Sequence, residues 1–317
     1  MVVDVFIVVL GFIGLIWGAD KFVFGASALA RNLGVSPLMI GLTIVAFGTS
    51  APEIFSSAAA VIENEPELAI GNALGSNIFN IGVALGIAAL ISPLRPPKTL
   101  IHKEIPALLL VTIVTGFLLA DLYLGKIDAL ILMAITVYFG YKLFKNRLSS
   151  ISLPELDQDN LIHLSNAKAV IYMILGLALL VLSADAMVEA ASSIANSLGV
   201  SPAIIGLTVV AFGTSLPELA ASVTCALKGH HELAIGNIVG SNILNLLAVL
   251  PFPGLFAPTE IEPSLFYRDY MTVLIMTLVL AFFCYRATKK NLMIGRIYGT
   301  VFLLMYCSWF TLLVLQM

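Results

Sequence analysis

Residues 34–53 read GVSPLMIGLTIVAFGTSAPE, and residues 199–218 read GVSPAIIGLTVVAFGTSLPE. Sixteen of the twenty positions are identical, at a constant offset of 165 residues. Each copy is an apolar stretch of membrane length, broken near its middle by Gly-Thr-Ser-X-Pro-Glu. Two carboxylates, Glu53 and Glu218, therefore occupy matching places in the two halves of the chain. A charged side chain at the bilayer centre costs about 2.5–3.5 kcal/mol on insertion scales, so a pair of them implies compensation by a bound cation or a proton.

Composition sets the class around this pair. Of the 317 residues, 60% are hydrophobic and only 11% are charged. The mean hydropathy is +1.03, too high for a soluble domain, so the chain reads as a polytopic membrane protein. Cys225, Cys284 and Cys307 fall in separate apolar spans without metal-ligand spacing, which argues against a disulfide framework. The N-terminus enters an apolar run at once, without a basic region or small-residue cleavage site, and reads as a retained first span.

Working outward, apolar stretches near 3–30, 37–62, 70–92, 104–122 and 127–144 each approach the length a bilayer requires. A polar linker over 146–167 follows, and then five more stretches near 168–195, 202–227, 235–252, 266–286 and 294–315. The sequence thus predicts an all-α polytopic protein with ten transmembrane helices, as two five-helix repeats over 1–145 and 168–317. Five is odd, so the second repeat enters the membrane from the opposite side and the repeats are inverted. With the N-terminus outside, thirteen Lys and Arg fall on the cytoplasmic side, against Lys126 and Arg268 outside and Lys21 within the first span. Positive-inside reasoning therefore predicts both termini outside, the linker inside, and a multi-pass protein of the plasma (inner) membrane.

The interrupted spans carry the chemistry. Pro52 and Pro217 lack an amide hydrogen, and Gly48 and Gly213 loosen the helix beside them. Freed carbonyls at membrane depth persist only where protein, water or an ion satisfies them. On a helix Ala46, Thr49, Ser50 and Glu53 share one stripe, as do Ala211, Thr214, Ser215 and Glu218. The next span also repeats: ELAIGNALGSNIFN over 67–80 and ELAIGNIVGSNILN over 232–245. Asn72, Ser76 and Asn80 line one face, as do Asn237, Ser241 and Asn245. The glycines of these segments would let each approach the interrupted helix of its own half.

Such a site contains oxygen donors only, since all four histidines lie in loops or the linker. That disfavours soft-ligand metals and suits a hard cation, with Ca²⁺ fitting a flexible oxygen cage better than Mg²⁺. Two carboxylates neutralise one divalent ion, or balance monovalent ions spread over adjacent subsites. A site that holds either, but not both together, is the core of an antiporter.

The duplicated GTSxPE and GNxxGSNxxN motifs resemble the α-repeats of the cation/calcium exchanger superfamily, in particular the prokaryotic sodium/calcium exchangers. The resemblance covers essentially the whole chain. It implies Na⁺-driven Ca²⁺ transport by alternating access, with Na⁺ and Ca²⁺ as substrates, membrane lipid as surroundings, and no cofactor or obligatory protein partner. Carried over residue by residue, it implies a calcium site at Thr49, Glu53, Thr214 and Glu218. Sodium subsites would involve Ala46, Ser50, Ser76, Ala211, Ser215 and Ser241, with Asn80 and Asn245 lining the centre. Close relatives often carry an aspartate where Asn245 stands, so this chain lacks one titratable group there. The resemblance further implies that the spans at 3–30 and 168–195 slide across the other eight.

Two other classes share these residues. A proton-coupled calcium antiporter would titrate the same carboxylates, and a cation channel could carry the pair without coupling. An enzyme is not indicated, because no paired Asp, or Ser with a general base, stands in the membrane as a hydrolase would need. Elsewhere, Asn72 and Asn237 read equally as ion-site residues or as joints between helices. Asp20 and Asp185 read as anchoring or packing groups, and Phe47 and Phe212 as core.

Overall fold

The computed structural model describes residues 1–147, 164–199 and 211–316, and they are mostly helical. In chain order the helices are α1 (Val2–Asn32), α2 (Pro37–Thr49), α3 (Ala51–Ile62), α4 (Pro66–Ile91) and α5 (Lys98–Leu119). They continue as α6 (Lys126–Arg147), α7 (Asn166–Ser197), α8 (Leu216–Leu227), α9 (His231–Phe256), α10 (Leu265–Lys289) and α11 (Arg296–Leu315). Among the described residues seven helices are long and apolar enough to cross a membrane, and eight if the bent pair α2–α3 counts as one span. The stretches expected at 127–144 and 202–227 correspond to α6 and, in part, to α8 with the short turn Ala211–Thr214 before it. Most of the linker expected over 146–167 lies outside the described residues.

The break in the interrupted span falls where proline chemistry puts it. Axes α2 and α3 meet at 43°. Ser50 sits between them at φ −83°, ψ 5°, and Pro52 opens α3. The Ser50 amide closes α2 on the Ala46 carbonyl at 2.9 Å, and the Ile54 amide starts α3 on the Ser50 carbonyl at 3.2 Å. Proline's missing N–H leaves the Gly48 carbonyl without its usual donor four residues on. Ser215, before Pro217, adopts the matching conformation at φ −93°, ψ 4°.

Helices α4 and α9 form the centre. Within their apolar windows 72% and 89% of residues are buried, against 22% in α1, α7 and α11. Each widens by one π-helical turn directly after its polar face, at Asn80–Leu85 and Asn245–Val249. Such turns recur at functional sites because they re-aim side chains. Helix α2 of the first half packs on α9 of the second: a Cβ added at Gly41 would lie 2.7 Å from the Leu233 carbonyl oxygen. Helices α1 and α7 pair closely on the outside, where a Cβ at Gly25 would lie 2.5 Å from the Met173 amide.

The connections meet in the pairs that the sequence assigns to common sides. Tyr123 and Leu124 form a two-residue antiparallel ribbon with Glu260 and Thr259. On the other side Leu94 bridges Ile294 through mutual backbone bonds of 2.9 and 2.7 Å. Asp20 pairs with Lys228 at 2.5 Å, tying α1 to the end of α8. One core expectation fails: Phe47 is 60% exposed, because the α2 stripe that turns inward is the polar one. Its counterpart Phe212 does pack, against Phe79, Tyr306 and Phe310.

Candidate cation site

Glu53 and Glu218 are both fully buried, each in the first turn of the short helix that follows a break. The whole stripe Ala46, Thr49, Ser50 and Glu53 is 0% exposed, so the face that sequence periodicity selects is the face turned inward. Ser215 and Glu218 are buried likewise, and Thr214 is half-buried. Ala211 opens the turn before α8, and its side chain lies outside the described residues.

The two halves bond to each other through this pair. Ser50 donates to Glu218 Oε1 at 2.8 Å, and Ser215 donates to Glu53 Oε1 at 3.0 Å. Ser241 reaches the same Glu218 oxygen at 3.4 Å, and the Ser76 and Ser215 hydroxyls lie 3.1 Å apart. The second oxygen of each carboxylate, Oε2, is buried without a hydrogen-bond partner. None of the ion pairs formed among the described residues involves Glu53 or Glu218. Two acidic groups thus share one buried cluster, with no basic side chain among the described residues paired to them.

Around the pair lies a shell of amides. Asn72 donates to the Glu53 carbonyl at 3.2 Å and to Ser57 Oγ at 3.0 Å, and accepts from Thr214 Oγ1 at 3.5 Å. Asn237 repeats the arrangement with the Glu218 carbonyl at 3.4 Å, Ser222 at 3.0 Å and Thr49 at 3.1 Å. Each asparagine therefore holds the glutamate backbone of its own half while binding the threonine of the other. Toward the centre, Asn245 donates to Asn77 Oδ1 at 3.1 Å, and Asn80 is buried with both side-chain polar atoms unpartnered.

The structure brings together Thr49, Ser50, Glu53, Ser76, Thr214, Ser215, Glu218 and Ser241, and Asn80 and Asn245 follow Ser76 and Ser241 by four residues on α4 and α9. Ala46 faces Gly240, where an added Cβ would lie 2.7 Å from the alanine methyl. Sequence reasoning left Asn72 and Asn237 undecided and passed over Ser57 and Ser222. The signal was present: Ser57 and Ser222 follow the glutamates by four residues and match at the repeat offset. No group of three or more His, Cys, Asp or Glu able to hold a metal occurs among the described residues. A cation here would rest on two carboxylates plus hydroxyl, amide and carbonyl oxygens, the donor set of a hard, oxygen-preferring ion.

Apolar helices wrapped around a buried carboxylate pair suit a membrane ion transporter. The protein-family model described as "Sodium/calcium exchanger protein" matches residues 3–145 and 168–315. CaxA of Alkalimonas amylolytica is 41% identical over 318 residues, covering 98% of each chain. The sodium/calcium exchanger MaX1 of Methanosarcina acetivorans is 33% identical over 352 residues, again covering 98% of each. Among solved structures, the sodium-calcium exchanger NCX_Mj soaked with 10 mM Na⁺ and zero Ca²⁺ superposes with a TM-score of 0.85 at 35% identity. That match covers 98% of this chain and 99% of that one. The chain belongs to the sodium/calcium exchanger family, a family of membrane ion exchangers.

Proposed function

We propose that this protein exchanges Na⁺ for Ca²⁺ by alternating access at the Glu53–Glu218 cluster. The observation that carries the reading is the crossed pair of bonds: each carboxylate is held by a serine of the other half, with one oxygen left without a hydrogen bond and, among the described residues, no basic side chain paired to it. Burying two such charges without a counter-ion is unfavourable, so the cluster favours occupation by positive charge. Ca²⁺ would take the bare carboxylate oxygens with Thr49 and Thr214 nearby. Na⁺ would spread over subsites at Ala46, Ser50, Ser76, Ala211, Ser215 and Ser241, with Asn80 and Asn245 lining the centre. Because both ion sets draw on the same carboxylates, one displaces the other, and no cofactor is needed.

The architecture that suits this cycle is ten spans in two inverted five-helix repeats. It is supported by the 165-residue offset and by the way loops assigned to one side meet one another. The excess of Lys and Arg puts both termini outside and the linker in the cytoplasm, in the plasma membrane. If unequal charge moves per cycle, each elementary charge is driven by about 2.3 kcal/mol per 100 mV.

Ca²⁺ uptake into proteoliposomes under controlled gradients tests the reading. Uptake that requires an outward Na⁺ gradient supports it. Uptake that follows pH alone would replace Na⁺ with protons as the coupling ion, and gradient-independent flux at channel rates would replace the carrier with a pore.

A further inference from the structure

The asparagines that close the GSN triplets, Asn77 and Asn242, are counterparts at the repeat offset, as are Asn80 and Asn245. All four are buried at the contact between α4 and α9. Their chemistry is the same on both sides, yet their bonds are not. Asn77 donates to the Asn242 backbone carbonyl at 3.3 Å and accepts from Asn245 Nδ2 at 3.1 Å. The counterpart set would have Asn242 donating to the Asn77 carbonyl and accepting from Asn80. Neither bond is made: Nδ2 and Oδ1 of both Asn242 and Asn80 are buried without partners.

Identical residues that bond on one side only differ in conformation, not in composition. Other counterparts show the same asymmetry: Asn237 is fully buried where Asn72 is half-buried, and the Thr49–Asn237 bond is 3.1 Å where Thr214–Asn72 is 3.5 Å. The closed set ties Asn77 of α4 to α9, the helix on which α2 packs at Gly41. Four unpartnered amide atoms in a buried core are unfavourable, because buried polar groups are otherwise almost always paired. A rearrangement that closes the other side would satisfy three of them, all but Asn80 Oδ1, while releasing the first set.

We propose that Asn77 and Asn242 are positioning residues that hold Asn245 and Asn80 in turn, so that one central carboxamide is tied back while the other is free to face the ion path. The inference rests on the alternating-access reading and adds to it a two-position amide latch between the halves. In the state described, Asn77 latches Asn245 and leaves Asn80 free. In the opposite state Asn242 latches Asn80 and leaves Asn245 free.

Hydrogen–deuterium exchange of the full-length protein tests this at two counterpart segments, the starts of α4 (66–72) and α9 (231–237). Asn77→Ala removes the latch of the present state, so protection should fall over 231–237 and rise over 66–72. Asn242→Ala should do the reverse, and the double variant should return toward wild type. One hydrogen bond corresponds to a shift of about two- to tenfold in the ratio of the two states. A residue that merely packs would loosen both segments together. Same-direction changes in both single variants, or no change, would overturn the proposal. Asn77→Ser and Asn242→Ser keep a polar group and give a second reading should an alanine variant unfold. Sodium-driven Ca²⁺ flux of the wild type is measured in the same preparation. Loss of that flux would sink the exchange reading, whereas intact flux with non-reciprocal variants would sink the latch alone.

Discussion

Ser50 on one side of the molecule donates to Glu218 on the other at 2.8 Å, although 168 residues separate them. The reverse bond, Ser215 to Glu53, is 3.0 Å. Neither glutamate bonds to the serine three positions before it on its own stripe. The site is therefore shared between the halves at the level of single hydrogen bonds, and a change in one half is felt by the carboxylate of the other.

Removing either donor should weaken ion binding rather than the fold. A hydrogen bond to a charged group contributes about 1.5–3 kcal/mol, equivalent to about a ten- to hundredfold change in affinity. Ser50→Ala and Ser215→Ala are each expected to raise the half-saturating Ca²⁺ concentration by that order in proteoliposome uptake. Unchanged half-saturation in both variants would mean that the crossed bonds are incidental to the site.

The carboxylates themselves should show opposite effects on transport and on stability. Glu53→Gln or Glu218→Gln is expected to abolish Ca²⁺ flux while raising the melting temperature in chelator without Na⁺, because an uncompensated buried charge is removed. Ca²⁺ at a hundred times its dissociation constant should stabilise the wild type by about 2.7 kcal/mol and leave the variants unmoved. Thermal unfolding in detergent, with and without Ca²⁺, reads both effects. A variant that still transports Ca²⁺ would remove the glutamate from the ion path.

How much of this could be read in advance follows from the kind of signal each residue gives. The duplicated stripe announced Thr49, Ser50, Glu53 and their counterparts, because i, i+3 and i+4 spacing and the loss of a proline N–H are local properties. Which serine serves which glutamate was not legible, since periodicity says nothing about the partner helix. Asn72 and Asn237 stayed undecided because an asparagine that joins helices and one that shapes a site look alike in sequence. Phe47 misled for a related reason: a large apolar residue in a membrane helix can face lipid as readily as core.

For those two asparagines the structure gives a definite expectation. Asn237 donates to the Glu218 carbonyl and to Ser222 and accepts from Thr49, so Asn237→Ala removes three buried hydrogen bonds at once, although Thr49 keeps its bond to the Val45 carbonyl. Each buried group left unsatisfied costs about 1–3 kcal/mol. The variant should melt well below wild type and bind Ca²⁺ weakly. Asn72→Ala, at the half-buried counterpart, should lose less stability. Equal losses at the two positions would contradict the difference in burial.

Helices α1 and α7 offer a test of which parts move together. Their glycines bring backbones into direct contact: a Cβ at Gly18 would lie 2.8 Å from the Leu180 amide, and one at Gly14 would lie 3.1 Å from Ser183 Cβ. Close approach through small residues is what binds helices in lipid, and here it joins α1 to α7 along most of their length. If the pair slides as a block, a Gly14→Cys/Ser183→Cys disulfide should leave most exchange activity in place. The Asp20–Lys228 ion pair instead links α1 to the end of α8, part of the structure the block would slide past. A reducible bis-thiol cross-linker joining Asp20→Cys to Lys228→Cys should lower transport, and reduction should restore it. Cys225 and Cys284 are buried and do not interfere, while exposed Cys307 is replaced by serine in both backgrounds. Inhibition by the α1–α7 staple would show that the two helices must move past each other. Activity that survives the α1–α8 staple would show that α1 does not slide across the core.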